Sequence, residues 1–246
     1  MINKITEEIK YHLKTIAPQL TKEQKTRMYK IINSNNPRFI AYGNKHSEIE
    51  KYVKEIHIKY DLSYTEAFEI SQRLIKSDIH DEKIGGIFLL NRFKKNFTHE
   101  TVRIMNELIP DNLDSWAITD TTMIRVIGPF LGKKGNEGLA TEIIAKWSNS
   151  DNLWVRRASM VILLKIVMIK KEFNEEYVFK LVEKMLNYTE DYIQKGIGWL
   201  LKTCSKFNPD SIFGYLMNNK ERLPRLILRY SSEKLSNEKR KQILKK

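Results

Sequence analysis

The sequence contains few of the residues that crosslink chains or interrupt helices. Its 246 residues include one cysteine, Cys204, six prolines and ten glycines. A single cysteine excludes an intramolecular disulfide and is typical of intracellular proteins, so we expect Cys204 to be a small buried side chain. The five histidines lack metal-ligand spacing with each other or with Cys204. The sequence therefore predicts no metal site, and it implies no cofactor.

Long apolar segments are also absent. The longest apolar run, Met160 to Ile169, is interrupted by Lys165. It is shorter than the roughly 20 residues that span a bilayer. The first eight residues, Met1 to Glu8, lack the apolar core of a signal peptide. We therefore expect a cytoplasmic protein that does not enter a membrane.

Positive charge is abundant in this chain. It carries 43 lysines and arginines against 30 aspartates and glutamates, which gives a formal net charge of +13. This excess favours a polyanionic partner such as nucleic acid or an anionic surface. The alternative is a solvated, charged surface, because isoleucine, lysine and asparagine are all frequent and part of the excess can be compositional.

Helical periodicity dominates the pattern of apolar residues. Apolar side chains recur at spacings of three and four almost everywhere, and no alternating run or Asn-Gly hairpin turn predicts a strand. The sequence predicts an all-α protein with fourteen helices between Ile2 and Leu244, one of them from Thr121 to Leu131.

Four of these helices share a centre rich in small and apolar residues that closes on a leucine. The closing leucines are Leu90, Leu131, Leu164 and Leu201, at intervals of 41, 33 and 37 residues. These intervals suit a two-helix repeat of the HEAT or armadillo type, in which small residues allow close helix packing. We expect a single HEAT-like domain over residues 1–246, forming a helical repeat solenoid. The alternative is an irregular helical bundle.

Trp116 and Asp120 form the first candidate element of chemistry. Their spacing of four places the indole and the carboxylate on one face of a helix. In a basic chain, a carboxylate beside an indole is better suited to chemistry on a nucleic acid than to holding an anion. The alternatives are an N-cap role for Asp120, which precedes Thr121, and a packing role for Trp116.

Two arginines, Arg156 and Arg157, follow Trp154 at the start of an apolar helix. Cations at a helix N-terminus oppose the helix dipole, so an external anion would compensate them. The alternative is an internal partner, for which Asp151 is the nearest acidic residue.

Trp199 lies between Lys195 and Lys202 on one helix face. This face suits a DNA strand, with lysines on phosphates and the indole against a sugar or base. The alternative is a core tryptophan whose neighbouring lysines extend to solvent. In a solenoid, consecutive repeats would bring the three tryptophan-bearing segments to one concave basic face. Lys133 and Lys134, in the connection 132–138, would add phosphate contacts or lie in a plain exposed loop.

Together these elements resemble the HEAT-like DNA alkylation repair glycosylases, the AlkD family, most clearly from Ile109 to Asn208. The Trp-x-x-x-Asp element of that family matches Trp116 and Asp120, its Trp-x-x-Arg element matches Trp154 and Arg157, and its Ile-Gly-Trp helix ends at Trp199. Weaker resemblance covers residues 38–43 and 223–230, the latter with Arg225 and Arg229, and a family tyrosine corresponds to Tyr29.

The resemblance implies a monomeric, nucleoid-associated DNA glycosylase that removes cationic N3- or N7-alkylated purines from duplex DNA by hydrolysing the N-glycosidic bond. Its implied catalytic residues are Asp120, Trp116, Trp199 and Arg157, and its implied DNA-binding residues are Arg156, Lys195, Lys202, Lys133, Lys134, Arg225, Arg229 and Tyr29.

Three positions depart from the family pattern. Ser115 and Ala117 stand where the family often has a second tryptophan and a second acid, and Lys202 replaces an arginine. The lysine keeps the charge but not the forked phosphate contact. Two other functions remain open from the residues: a non-catalytic HEAT-like DNA-binding module, and a protein–protein scaffold.

Overall fold

The computed structural model describes residues 1–245, whose helices fall into two compact units. The first unit, Met1–Val126, contains α1 (Ile2–Thr15), α2 (Lys22–Ile32), α3 (His46–Tyr60), α4 (Tyr64–Ile75), α5 (His80–Arg92), α6 (His99–Leu108) and α7 (Trp116–Thr122). The second unit, Ile127–Lys246, contains α8 (Gly128–Leu131), α9 (Glu137–Trp147), α10 (Leu153–Lys170), α11 (Glu175–Met185), α12 (Asp191–Cys204), α13 (Pro209–Asn218), α14 (Arg225–Ser231) and α15 (Asn237–Leu244). The prediction of one domain over residues 1–246 stays a prediction.

Local capping explains where several helices begin. Thr21 caps α2: its hydroxyl accepts from the Gln24 backbone N–H at 3.2 Å, and the Gln24 side chain accepts from the Thr21 N–H at 2.8 Å. Ser63 and Glu66 form the same reciprocal pair at the start of α4. Such caps satisfy backbone donors that the first helical turn leaves without partners.

The sequence predicts a helix from Thr121 to Leu131, and the predicted first residue is wrong. Helical structure begins at Trp116 and passes through a π-helical turn, Met123–Ile127, into α8. Pro129 lies at the start of α8. Because proline has no N–H and its ring clashes with the carbonyl four residues earlier, a regular α-helix cannot continue through it. A wider turn just before it is a common accommodation.

Inner helices form the core of each unit. Every residue of α5 from His80 to Leu90 is buried, as is every residue of α10 from Trp154 to Leu164. In the first unit α5 packs against α3, α4 and α7. In the second unit α10 packs against α8 and α12, and α12 packs in turn against α14. This succession, in which each inner helix covers the next, is typical of helical repeat arrays.

No β-strand is found among residues 1–245, where Ile40 and Ile79 form an isolated parallel bridge. The all-α prediction is confirmed. Over the same residues, the helices are all too short or too polar to cross a membrane.

Candidate functional site

Trp116 and Asp120 share one face of α7, and both side chains are partly exposed. The indole Nε1 donates to the Ile31 carbonyl at the end of α2, at 2.8 Å. This hydrogen bond fixes the ring while leaving part of it accessible. The N-cap of α7 is Ser115, and Asp120 lies inside the helix. The alternative of Asp120 as an N-cap is therefore wrong.

The two small residues beside Trp116 are explained by packing. Ser115 and Ala117 are both buried. A tryptophan at position 115 would overpack a dense core, and an acid at position 117 would bury a carboxylate, and both changes are costly. The departure from the family pattern therefore lies in the core beneath the site.

A buried ion pair lies directly before α7 in the first unit. The Lys83 Nζ of α5 is 2.8 Å from Asp114 Oδ2 and donates to the Asn112 carbonyl at 2.8 Å. Sequence reasoning missed this pair, although a signal was available. Lys83 stands seven residues before the closing Leu90, as Arg157 stands seven before Leu164.

Tyr29 lies on α2, two residues before the carbonyl that holds Trp116. Its side chain is partly exposed, and its hydroxyl accepts from the Ala41 N–H at 3.3 Å. The ring meets Phe39 edge to face, with 5.5 Å between centroids. The role of Tyr29 in DNA binding stays a prediction.

In the second unit, Trp154 is a core residue. Its side chain is fully buried, and its ring lies 4.9 Å from the Tyr192 ring, centroid to centroid. Arg157 is also largely buried, and its Nη1 donates to the Tyr192 carbonyl in the first turn of α12 at 2.6 Å. Trp154 and Arg157 therefore both contact Tyr192 in the first turn of α12.

Arg156 is held by an internal acceptor set. Its Nη2 is 2.6 Å from Glu190 Oε1, its Nη1 donates to the Ser150 and Asp151 carbonyls, and its guanidinium stacks over Tyr188. The anion that compensates this cation is thus the Glu190 carboxylate. Asp151 contributes only its backbone carbonyl. This placement favours a structural role for Arg156.

The face of Trp199 is partly exposed on α12, together with Lys195 and Lys202. Lys202 Nζ lies 2.9 Å from Glu233 Oε2, and Lys195 Nζ lies 3.8 Å from Asp191 Oδ2. Both ion pairs are partly exposed, and ion pairs near the surface contribute little to stability. Replacing either carboxylate by a phosphate would therefore cost little free energy.

Two glycines set the position of Trp199. A Cβ on Gly196 would meet Met160 Cε of α10 at 2.7 Å, and a Cβ on Gly198 would meet Tyr230 Cβ of α14 at 2.4 Å. Both distances are below normal contact, so α12 reaches its neighbours only because these side chains are absent. The prediction that small residues allow the inner helices to approach closely is confirmed here.

The remaining predicted cations lie at the surface of the second unit. They are Lys133, Lys134, Arg225 and Arg229. Lys133 Nζ lies 5.4 Å from the centre of the Phe130 ring, and Arg225 Nη1 donates to the Leu244 carbonyl at the end of α15.

Cys204 is buried as expected, and burial raises the pKa of its thiol to about 12. Within residues 1–245, the His, Cys, Asp and Glu side chains form no group of three or more that could hold a metal ion.

Comparison with known proteins agrees with these features. The model of a family described as "DNA alkylation repair enzyme" matches residues 9–235. A solved structure, the predicted DNA alkylation repair enzyme from Enterococcus faecalis, is similar with a TM-score of 0.72 and 21% identity, covering 89% of this chain and 98% of that one. AlkD2 from Streptococcus mutans is similar with a TM-score of 0.54 and 18% identity, covering 86% of this chain and 97% of that one. No curated protein matches the chain significantly.

The structural likeness confirms the HEAT-like helical repeat fold. The family model spans most of the sequence, and its range includes the three tryptophan-bearing segments discussed above. The chain therefore belongs to the DNA alkylation repair enzyme family, and its role is in DNA alkylation repair.

Proposed function

We propose that the protein is a DNA glycosylase that excises cationic N3- or N7-alkylated purines from duplex DNA. The observation that carries this proposal is the pair on α7. Trp116 and Asp120 are one turn apart, both are partly exposed, and the indole is fixed by the Ile31 carbonyl. An indole beside a carboxylate suits a substrate whose base and sugar both carry positive charge.

The reaction breaks the bond between the sugar C1′ and the purine nitrogen. The bonding electron pair leaves with the base, which neutralises its positive charge, so the base needs no protonation. Positive charge develops on the deoxyribose instead. A water molecule then forms the new bond to C1′ and releases a proton.

Asp120 is assigned to stabilise the charge on the sugar and to orient the water. Opposite charges about 4 Å apart attract by roughly 1 kcal/mol in bulk water and roughly 4 kcal/mol at an effective dielectric constant of 20. The larger value corresponds to about a thousandfold in rate. Partial burial of Asp120 on α7 therefore matters, because it places the carboxylate between these limits.

The Trp116 indole is assigned to the cationic nucleotide, and the resemblance to the family implies the same role for the Trp199 indole. Cation–π contacts contribute on the order of 0.5–2 kcal/mol, with the larger values in dry sites. Arg157 is assigned to a phosphate near the lesion, since its guanidinium is oriented by the Tyr192 carbonyl. A fixed arginine loses less side-chain entropy when it binds an anion.

The surrounding cations are assigned to the DNA backbone. They are Lys195, Lys202, Lys133, Lys134, Arg225 and Arg229, with Tyr29 as an uncharged contact. Arg156 is left out of this set because it is buried and its two terminal nitrogens already bind Glu190 and two backbone carbonyls. We also propose that the protein is a monomer and acts on chromosomal DNA inside the cell.

Release of 7-methylguanine and 3-methyladenine from methylated duplex DNA tests the proposal. We expect wild-type protein to release both bases. Asp120→Asn should lower the single-turnover rate about 10²- to 10³-fold while duplex affinity is retained, because the side chain keeps its size but loses its charge. Asp111→Asn is the matched control: it removes an exposed carboxylate nine residues earlier and should leave the rate unchanged.

The outcomes separate the functions left open by the sequence. No base release by wild type would refute the glycosylase. Salt-sensitive duplex binding that is equal in wild type and Asp120→Asn, without release, would identify a non-catalytic DNA-binding module. Absence of any salt-sensitive duplex binding would leave the protein–protein scaffold.

A further inference from the structure

We propose that Lys83 and Asp114 are positioning residues for the Trp116–Asp120 element, an inference that rests on the proposed function. Neither residue belongs to the motifs that reveal the family. Lys83 lies on α5, and Asp114 lies two residues before Trp116 in the connection that leads into α7. The pair would act through the placement of α7 and would not touch the DNA.

The geometry of the pair is specific. Lys83 Nζ makes two contacts at 2.8 Å, one to Asp114 Oδ2 and one to the Asn112 carbonyl. The Lys83 and Asp114 side chains are only 4% and 8% exposed. One ammonium group therefore binds both a side chain and the backbone of the connection, and the ion pair itself is shielded from most solvent.

The same connection is held from α2 and the loop that follows it. The Asn35 N–H donates to the Asp114 carbonyl at 3.0 Å, and the Trp116 indole donates to the Ile31 carbonyl at 2.8 Å. Asp114 is thus bound through its side chain to α5 and through its carbonyl to residue 35. The segment 112–116, which leads into α7, is therefore hydrogen-bonded both to α5 and to the end of α2 and the loop after it.

α7 needs such external anchors. Its N-cap Ser115 makes no side-chain capping hydrogen bond, and its regular α-helical part ends at the π-helical turn after Thr122. Most of the stability of a helix in a protein comes from tertiary packing, so contacts outside α7 set its position. Displacing a reacting group by about 1 Å can lower a rate about a hundredfold. The anchor at Lys83 therefore has a kinetic consequence at Asp120.

A stabilising role alone explains the pair poorly. Buried ion pairs are often no better for stability than apolar residues of the same size. The charged pair also restricts the position of the connection before α7, since the Lys83 ammonium group must bind two acceptors at once. Arg157 occupies the same position relative to its closing leucine, and it too donates to a backbone carbonyl of the following segment, that of Tyr192.

The test compares Lys83→Met, the double variant Lys83→Met/Asp114→Leu, and the control Lys170→Met. The control removes the partly exposed ion pair with Glu137 in the second unit. Three properties are measured: single-turnover release of 7-methylguanine, affinity for undamaged duplex, and the indole N–H resonances in ¹⁵N-labelled protein. The Trp116 resonance is assigned with Trp116→Phe.

In Lys83→Met we expect release to fall about 10- to 100-fold, with duplex affinity little changed. The Trp116 resonance should shift or broaden, while those of buried Trp147 and Trp154 stay in place. The double variant should recover thermal stability, because no charge is left unpaired, yet keep the slow release and the altered resonance. Lys170→Met should match wild type.

Two results would overturn the inference. One is an unchanged Trp116 resonance and rate in Lys83→Met. The other is full recovery of rate, resonance and stability together in the double variant, which would make the pair a stability element only. If Lys83→Met does not fold, the double variant decides between these outcomes. If wild type releases no base, the proposed function fails, but the Trp116 resonance still decides whether the pair positions α7.

Discussion

His80 shows how a single buried side chain ties stability to pH. It lies at the start of α5, where its ring is 5.8 Å from that of Phe39 and 6.0 Å from that of His46, between centroids. Burial lowers the pKa of His80 from 6.5 to about 4. Asp81 opposes this shift, while His46 and Lys83 add to it by charge repulsion. The imidazole is therefore neutral in the folded protein at neutral pH.

The sign of the pH dependence follows from this difference. Between pH 6.5 and about 4 the unfolded chain binds a proton at His80 that the folded protein excludes. The free energy of unfolding should therefore fall by roughly 2–3 kcal/mol from pH 7 to pH 4.5 on account of this residue. Urea unfolding at both pH values checks this.

The variant His80→Gln should show a smaller loss over the same interval, because it has no group to protonate. The control His99→Gln, at an exposed position, should keep the full loss. Equal losses in wild type and His80→Gln would contradict the assignment.

Three of the four tryptophans show what the sequence can predict about single residues. The spacing of Trp116 and Asp120 predicted that they share one helix face, and they do so on α7. Spacing could not separate partly exposed Trp199 from fully buried Trp154, since burial depends on which other helices cover a residue. For the same reason, local spacing could not show that Glu190, 34 residues away, neutralises Arg156.

At the scale of helices, α12 is the element under the tightest spatial constraint. It packs against α10 at Gly196 and against α14 at Gly198. Gly198 has no room for a side chain, because an added Cβ would lie 2.4 Å from Tyr230 Cβ. Trp199 directly follows these two contacts on α12, so they determine where its side chain lies.

Gly198→Ala should therefore lower the free energy of unfolding by about 1–3 kcal/mol, despite the better helix propensity of alanine. Gly138→Ala on α9 is the matched control, since no atom lies within 4 Å of its added Cβ. That variant should be neutral or more stable by up to about 1 kcal/mol. Urea denaturation of the two variants measures the difference, and equal stabilities would contradict the packing argument.

The start of α7 shows why one helix boundary could not be predicted. Thr121 and Asp120 have the local chemistry of a helix start, so the sequence favoured a beginning there. The helix instead begins at Trp116, after a connection held by Lys83. Contacts with a distant helix outweigh local capping preferences here, and a sequence window around residue 120 does not contain them.

At the scale of the whole molecule, the net charge of +13 predicts a strong salt dependence of duplex binding. If about six phosphates are neutralised, the logarithm of the binding constant should fall with a slope near −5 against the logarithm of salt concentration. Lys134→Ala should make this slope shallower by about 1, because it removes one phosphate contact.

Lys51→Ala is the control for this measurement. It removes an exposed lysine of α3 that is outside the proposed contact set, so the slope should not change. Fluorescence anisotropy of an undamaged duplex between about 50 and 200 mM salt gives all three slopes. A slope near zero for wild type would argue against DNA as the partner.

The repeat fold was predictable because its evidence is local and recurs along the chain. Helical periodicity and the spacing of Leu90, Leu131, Leu164 and Leu201 need no knowledge of contacts. The grouping into two compact units, divided after Val126, was not predicted. It depends on how densely the helices pack, and the linker-rich composition that marks many domain boundaries is missing there.

The shared placement of Lys83 and Arg157 has a consequence for exchanging parts between members of this family. Each cation donates to a backbone carbonyl in the segment that precedes a tryptophan of the proposed site. The interchangeable piece of the protein is therefore longer than one helical hairpin. It runs from the cation to the tryptophan that follows its backbone contact, as in 83–116 and 157–199. A chimera whose boundary falls inside either stretch would carry the tryptophan without the cation that binds the backbone before it.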